Sequence, residues 1–468
     1  MNSQKRATKK RALQKMELLG STSIPKALLA MGIPTMVGML VNAFYNLVDA
    51  YFVGGLGESQ MGAISVVYPL GQVVVGLGLL FGNGAASYIS RLLGRGDKEN
   101  ADKVASTALY SSVSVGAVII IISMVFLHPI LKLLGATDSI LPYAATYAGI
   151  YIVSCIFNVF NVTMNNIVTS EGAAKTTMCA LLTGAVLNIA LDPLFIYVFD
   201  LGVAGAAIAT AISQVVSTCV YLTYIFRKKS VFHFRVKDCT YTKETMSEIF
   251  KIGIPTLVFQ ILTSVSISLI NNAAGDYEDS AIAGMGVVTR LISMGSLSVF
   301  GFIKGFQPIA GYSYGAKKFD RLREAIKTSI LWSTVFCVIF GVILALFPTA
   351  IVSQFTKGDA EMIRIGATSL RANGISIMLF GFYTVYSSLF LALGKGREGF
   401  ILGACRQGIC FIPVILFLPT VWGLNGIMYA QPIADVLSAV ITVFMAIPLH
   451  KKLNEMQKQT IAISANNN

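Results

Sequence analysis

Three aspartates fall inside long apolar stretches of the sequence, namely Asp49, Asp192 and Asp435. A charged side chain is costly there and is expected to have a function. Asn188 lies four residues before Asp192, so a helix would place its amide beside the carboxylate. Pro193 follows and would free a backbone carbonyl one turn earlier. These oxygens could bind Na⁺ or H⁺, and a purely structural Asp192 held by Asn188 is the alternative.

Two stripes of polar side chains accompany these aspartates. Asn42 and Tyr45 precede Asp49 on the same helical face, although Asp49 could instead cap an exposed helix end. The second stripe has helical spacing and could either line a polar pathway or join neighbouring helices. Its members are Asn158, Asn161 and Asn165.

Two basic residues and two prolines also lie within apolar stretches. Arg290 could pair with an acid across a cleft, or extend to the membrane interface. Lys304 is nearer the end of its stretch, and we expect it to extend to the interface. Pro34 and Pro255 predict hinges or kinks in their helices. Asp435, just after a proline, could be functional or could stabilise such a kink.

The elements that must position these residues are membrane-spanning helices. Only 13% of the 468 residues are charged and 55% are hydrophobic, whereas soluble domains carry about 25% charged residues. A spanning helix needs about 20 apolar residues. We therefore predict an all-α polytopic membrane protein with 12 transmembrane helices. They cover approximately residues 27–52, 61–90, 104–128, 140–168, 176–199, 203–226, 247–274, 281–312, 326–350, 362–393, 399–420 and 424–449.

The formal net charge of +13 is explained by membrane topology. Basic residues concentrate at the N-terminus, in the even-numbered turns and in the C-terminal tail, including Arg227–Lys251, Lys317–Lys327 and Lys395–Arg406. Cytoplasmic segments of membrane proteins show this excess. We expect a multi-pass protein of the cell membrane, with the lipid bilayer as its partner, both termini in the cytoplasm and no nucleic acid bound.

An internal repeat divides the chain into two halves. Gly32-Ile33-Pro34-Thr35 recurs 221 residues later as Gly253-Ile254-Pro255-Thr256. Each half holds six predicted helices, so the two would be related by an axis along the membrane normal, as in parallel transporter repeats. This predicts two pseudo-symmetric six-helix lobes facing a cleft. The predicted domains are an N-lobe (1–226), a cytoplasmic linker (227–246), a C-lobe (247–449) and a cytoplasmic tail (450–468).

Four motifs in this order resemble the multidrug and toxic compound extrusion (MATE) family, in its bacterial branch of cationic-drug exporters. The resemblance spans about residues 24–450. The motifs are Asp49–Gly57, Ser90–Asp97, Gln307–Ala316 and Gln431–Asp435.

The resemblance implies a secondary active antiporter, not an enzyme. It would export organic cations or drugs in exchange for H⁺ or Na⁺ by alternating access, without a cofactor or an obligate protein partner. The family's ion site, with possible Na⁺, carries over to Asp49, Asn188, Asp192 and Thr210. The candidate residues of the substrate pathway are Asn42, Tyr45, Asn158, Asn161, Asn165, Gln260, Arg290 and Asp435. Open alternatives are an exporter or flippase of a lipid-linked or anionic solute, and less readily a channel or a membrane enzyme.

Overall fold

The computed structural model describes residues 2–275, 279–355 and 360–466, which form helices joined by short connections and contain no β-strand. The helices of the first half are α1 (Asn2–Gly20), α2 (Ile24–Gly54), α3 (Glu58–Gly94), α4 (Lys98–Val125), α5 (Leu127–Leu133), α6 (Leu141–Ser170), α7 (Ala174–Pro193) and α8 (Gly202–Phe226). Those of the second half are α9 (Lys243–Gly275), α10 (Asp279–Gly315), α11 (Phe319–Leu346), α12 (Pro348–Val352), α13 (Ala360–Ser376), α14 (Phe380–Ala392), α15 (Gly396–Ala404), α16 (Phe411–Trp422) and α17 (Leu424–Asn466).

Within these described ranges, 12 helical segments are long and apolar enough to cross a membrane. One of them, Ala174–Val198, extends α7 by a π-helical turn, and two others combine two α-helices each. Helices α13 and α14 form one segment, Ala360–Ala392, and α15 and α16 form another, Gly396–Trp422. A π-helical turn, Cys405–Ile409, joins the second pair. The all-α, twelve-helix prediction is confirmed.

Close contacts between the halves show their two-fold relation. A Cβ atom on Gly94 of α3 would lie 2.2 Å from the carbonyl oxygen of Tyr312 in α10. A Cβ atom on Gly315 would lie 2.1 Å from the carbonyl oxygen of Arg91. The 221-residue offset of the repeat relates one contact to the other, because Gly94 corresponds to Gly315 and Arg91 corresponds to Tyr312. Both glycines are needed because any side chain would separate the backbones at these points.

Helix α1 lies against both halves at the end of the molecule that carries these glycine contacts. Lys15 Nζ donates a hydrogen bond of 2.7 Å to the Lys229 carbonyl and forms an ion pair with buried Glu171, both in the first half. Arg321 of α11 donates to the Leu19 carbonyl at 3.1 Å. These contacts join the two halves at the end of the molecule that carries the basic turns.

Candidate functional site

The predicted acidic cluster forms between α2, α7 and α8 in the first half. Asp192 and Asn188 are buried, with 0% and 1% of their surfaces exposed. Asn188 Nδ2 donates to Asp192 Oδ1 at 3.2 Å and lies 3.5 Å from Thr210 Oγ1. The carboxyl of Asp49, from α2, is close enough to that of Asp192 for the two to interact electrostatically. The structure therefore brings all four predicted ion-site residues together.

Three oxygens of this cluster have no hydrogen-bond partner among the described residues. They are Asp49 Oδ1, Asn188 Oδ1 and Asp192 Oδ2, and all three atoms are inaccessible to solvent. A buried acceptor without a donor is unfavourable, and a buried carboxylate needs a positive partner. The cluster has the composition of a site for a proton or a small hard cation.

Tyrosines border the two carboxyls. Tyr45, one turn before Asp49, lies within electrostatic range of both Asp49 and Asp192. Tyr147 of α6 also lies within electrostatic range of Asp49 and stacks on Tyr151, with ring centroids 5.5 Å apart. Aromatic rings near a carboxyl lower the local polarity, which strengthens any ion–carboxylate interaction.

A separate cavity of about 530 Å³ lies mostly in the second half, bordered mainly by α9, α10, α14, α15 and α17, and it meets the first half at α2, α3 and α6. Drug-sized ligands occupy cavities of about 300–1,000 Å³. The cavity includes Pro255 and Gln260, which were predicted hinge and pathway residues, and aromatic residues such as Phe259 and Phe300. None of the four ion-site residues borders it. The acidic cluster and the cavity are therefore distinct sites.

The expectation for Lys304 was wrong. Its side chain does not extend to the membrane interface but turns into the cavity, where Nζ donates to Asn165 Oδ1 at 2.7 Å. Asn165 belongs to α6, so the contact joins the two halves. The sequence places Lys304 near the end of an apolar stretch, but α10 continues to Gly315 and puts the residue well inside the helix.

Arg406 is the functional candidate that sequence reasoning missed. The sequence suggests that Arg406 belongs to the basic turn Lys395–Arg406. In the structure it lies in the π-helical turn of the segment Gly396–Trp422, which is long and apolar enough to cross a membrane, and 6% of its surface is exposed. Its Nε donates to Asp435 Oδ1 at 3.0 Å. Gln431 Nε2 and Ser376 Oγ donate to the same carboxylate at 2.9 and 3.0 Å. The buried Asp435 therefore has a complete set of partners, unlike Asp49 and Asp192.

We expect the Arg406–Asp435 pair to stabilise the folded structure of the second half. Removing one partner of a buried pair leaves an uncompensated charge and costs about 3–5 kcal/mol. Arg406→Met or Asp435→Asn alone should therefore lower the thermal unfolding temperature strongly in detergent, and the double variant should recover most of the loss. Arg371→Met, at an exposed position of α13, is the matched control. Single variants as stable as this control would show that the pair is not structural.

The remaining predicted pathway residues are dispersed. Asn161 joins α6 to α8 through two 2.9 Å hydrogen bonds to Gln214. The backbone carbonyl of Asn42 accepts a hydrogen bond of 2.8 Å from Asn46 Nδ2 within α2. The Oδ1 atom of Asn158 is buried and has no hydrogen-bond partner among the described residues. Gln260 Nε2 donates to Gln72 Oε1 at 2.7 Å across the two halves. Arg290 is exposed and does not border the cavity.

The model of the MatE family matches this chain twice, over residues 34–194 and 255–417. The matches begin at Pro34 and Pro255, which are 221 residues apart in the sequence. They contain the two predicted hinge prolines and three of the four ion-site residues, Asp49, Asn188 and Asp192. Thr210 lies between the matched ranges.

Relatives and solved structures agree with this match. The chain is 32% identical over 429 residues to the multidrug export protein MepA of Staphylococcus aureus, covering 92% of this chain and 94% of MepA. The Staphylococcus saprophyticus MepA is 31% identical over 433 residues, covering 92% of this chain and 95% of that protein.

Two solved structures have the same fold. An outward-facing multidrug resistance MATE transporter of the MOP superfamily superposes with a TM-score of 0.88 at 26% identity, covering 95% of this chain and 98% of its own. A MOP superfamily transporter from Pyrococcus furiosus, described as having a binding pocket of reverse polarity, gives a TM-score of 0.86 at 25% identity, covering 94% and 98%. With the family model matching both halves and a relative at 32% identity over nearly its whole length, the chain belongs to the MatE family.

Proposed function

We propose that this chain exports small organic molecules in exchange for H⁺ or Na⁺ by alternating access between its two lobes. The observation that carries the proposal is the separation of two sites. An acidic cluster with unpartnered oxygens lies inside the first half, and a drug-sized cavity lies mostly in the second half, bordered on one side by the first. The similarity to proteins described as multidrug exporters supports the export direction.

The acidic cluster would bind the coupling ion. Two carboxyls in contact cannot both be negative at low cost, so the pair either shares a proton or binds a cation. Oxygens from Asp49, Asn188 and Asp192, with Thr210 beside them, would surround Na⁺, while a proton would lie between the two aspartates. Either ion removes the repulsion between α2 and α7 and so favours a different packing of these helices.

The cavity would bind the exported molecule. The glycine contacts bring the halves together at the basic end of the lobes. With the basic end in the cytoplasm, the cavity would open to the outside in this arrangement. An ion that binds one lobe arrangement more tightly shifts the population toward it, so ion and substrate can exchange without contact.

Organic cations are our first substrate class, because the faces of Phe259 and Phe300 in the cavity attract cations. One observation favours the second candidate, an exporter of anionic solutes. The charged residues that border the cavity, within the described parts of the chain, are the basic Lys304 and Arg406.

The test is dye transport in vesicles containing the purified protein. Ethidium movement should be driven by a proton gradient or by a sodium gradient, each imposed alone with the membrane potential clamped. Ethidium movement that neither gradient accelerates would contradict exchange for H⁺ or Na⁺.

A further inference from the structure

Lys304 presents an uncompensated positive charge to the cavity. Its described hydrogen bond is to the neutral oxygen of Asn165, at 2.7 Å. The other cation of the cavity, Arg406, is paired with Asp435 at 3.0 Å. Within the described ranges, no carboxylate borders the cavity. The cavity therefore carries a net positive charge that originates at Lys304.

A buried cation without a counter-charge is unfavourable, because the protein interior solvates it less well than water does. An anion bound at Lys304 Nζ would therefore lower the cost of burying this charge. The charge also lies where the halves meet, because Lys304 is on α10 and Asn165 is on α6. An anion bound there would contact a group whose surroundings change when the lobes move.

The rest of the cavity favours a flat aromatic body. Phe259 and Phe300 border it and pack edge to face, with ring centroids 6.1 Å apart. Gln307 and Asn166 lie beside Lys304 and offer neutral amide groups. Aromatic walls with a few polar groups are the usual composition of a small-molecule site.

We propose that Lys304 binds the carboxylate of an aromatic substrate and thereby sets the charge selectivity of the cavity. The inference rests on the proposed export function and specifies the charge preference of its substrate site. It differs from cation recognition by aromatic faces, because it assigns charge selectivity to one side chain.

Binding to the purified protein in detergent tests this assignment without any ion gradient. The probes are a rhodamine dye with a free carboxylate and the methyl ester of the same dye, titrated by fluorescence polarisation. The wild-type protein should bind the carboxylate dye more tightly than the ester. In Lys304→Gln the ratio of the two affinities should shift about tenfold toward the ester, which corresponds to about 1.4 kcal/mol.

Two further variants control the experiment. Lys304→Arg keeps the charge and should keep the preference for the carboxylate. Lys327→Gln removes a lysine at an exposed position of α11 and should leave the ratio unchanged. A wild-type protein that binds the ester as well as the carboxylate would overturn the proposal, even if Lys304→Gln failed to fold. An unchanged ratio in folded Lys304→Gln would also overturn it, whereas absent ion coupling in vesicles would contradict only the exchange mechanism.

Discussion

Asp49→Asn and Asp192→Asn are each expected to reduce gradient-driven dye efflux by at least about tenfold. Asparagine has nearly the same size as aspartate, so the packing of Asn188 and Thr210 around the site should survive. It cannot ionise, and so it can no longer release and rebind the coupling ion. A neutral amide within a membrane-spanning helix is also less costly than a carboxylate. Efflux from de-energised and re-energised cells, normalised to the amount of protein in the membrane, measures the effect.

Asp138→Asn is the matched control for these variants, because Asp138 is exposed in the short connection before α6. It should export at the wild-type rate. The two site variants should elute as monodisperse protein and unfold within a few degrees of the wild type. Full efflux by both would exclude the acidic cluster as the coupling site, and Asp435 would become the next candidate.

Locking the two halves together where they meet at the edge of the cavity should abolish export almost completely. Asn83 Nδ2 of α3 donates to Thr256 Oγ1 of α9 at 2.9 Å, so these positions face each other across the two halves. Cysteines at both positions, joined by a short reducible bifunctional reagent, would prevent the halves from separating there. The background should lack the more accessible native cysteines, Cys179, Cys219 and Cys239. We expect more than about 90% loss of efflux, because every cycle of alternating access requires this contact to open.

Reduction of the cross-link should restore efflux, and each single-cysteine variant should be insensitive to the reagent. Continued export by a fully cross-linked protein, verified by mass spectrometry, would show that the substrate does not pass between these helices.

Much of this fold follows from the sequence because hydrophobic length is a strong constraint in a membrane. Backbone groups in lipid must be satisfied within helices, so twelve apolar stretches became twelve spanning segments. The repeat was visible as the motif shared by Gly32–Thr35 and Gly253–Thr256. Gly94 and Gly315, at the same offset, occupy equivalent helix contacts. The interruptions within single spans, such as the π-helical turn before α16, carry no comparable signal.

The candidate site was predictable only where its residues share a helix. Asn188 and Asp192 are one turn apart, so their contact followed from spacing alone, whereas Thr210 came from the family resemblance. Arg406 and Asp435 lie on different helices, and a single arginine beside a basic turn is indistinguishable from a solvated one. Asp435 therefore stayed ambiguous until its partners were visible. Lys304 was misplaced for a similar reason, because sequence does not show how far a helix extends beyond the membrane.

Exchange predicts that a substrate gradient alone will move the coupling ion in the opposite direction, because coupling between two ligands is reciprocal. The measurement uses sealed vesicles with a trapped pH-sensitive dye, and radiolabelled sodium in a parallel experiment, with no ion gradient at the start. In vesicles with the wild-type protein, adding substrate to one side should drive H⁺ or Na⁺ toward that side. In vesicles with Asp192→Asn, neither ion should move. Two results would contradict ion exchange at the acidic cluster. One is substrate transport by the wild-type protein that moves neither ion, and the other is an ion flux in Asp192→Asn equal to that of the wild type.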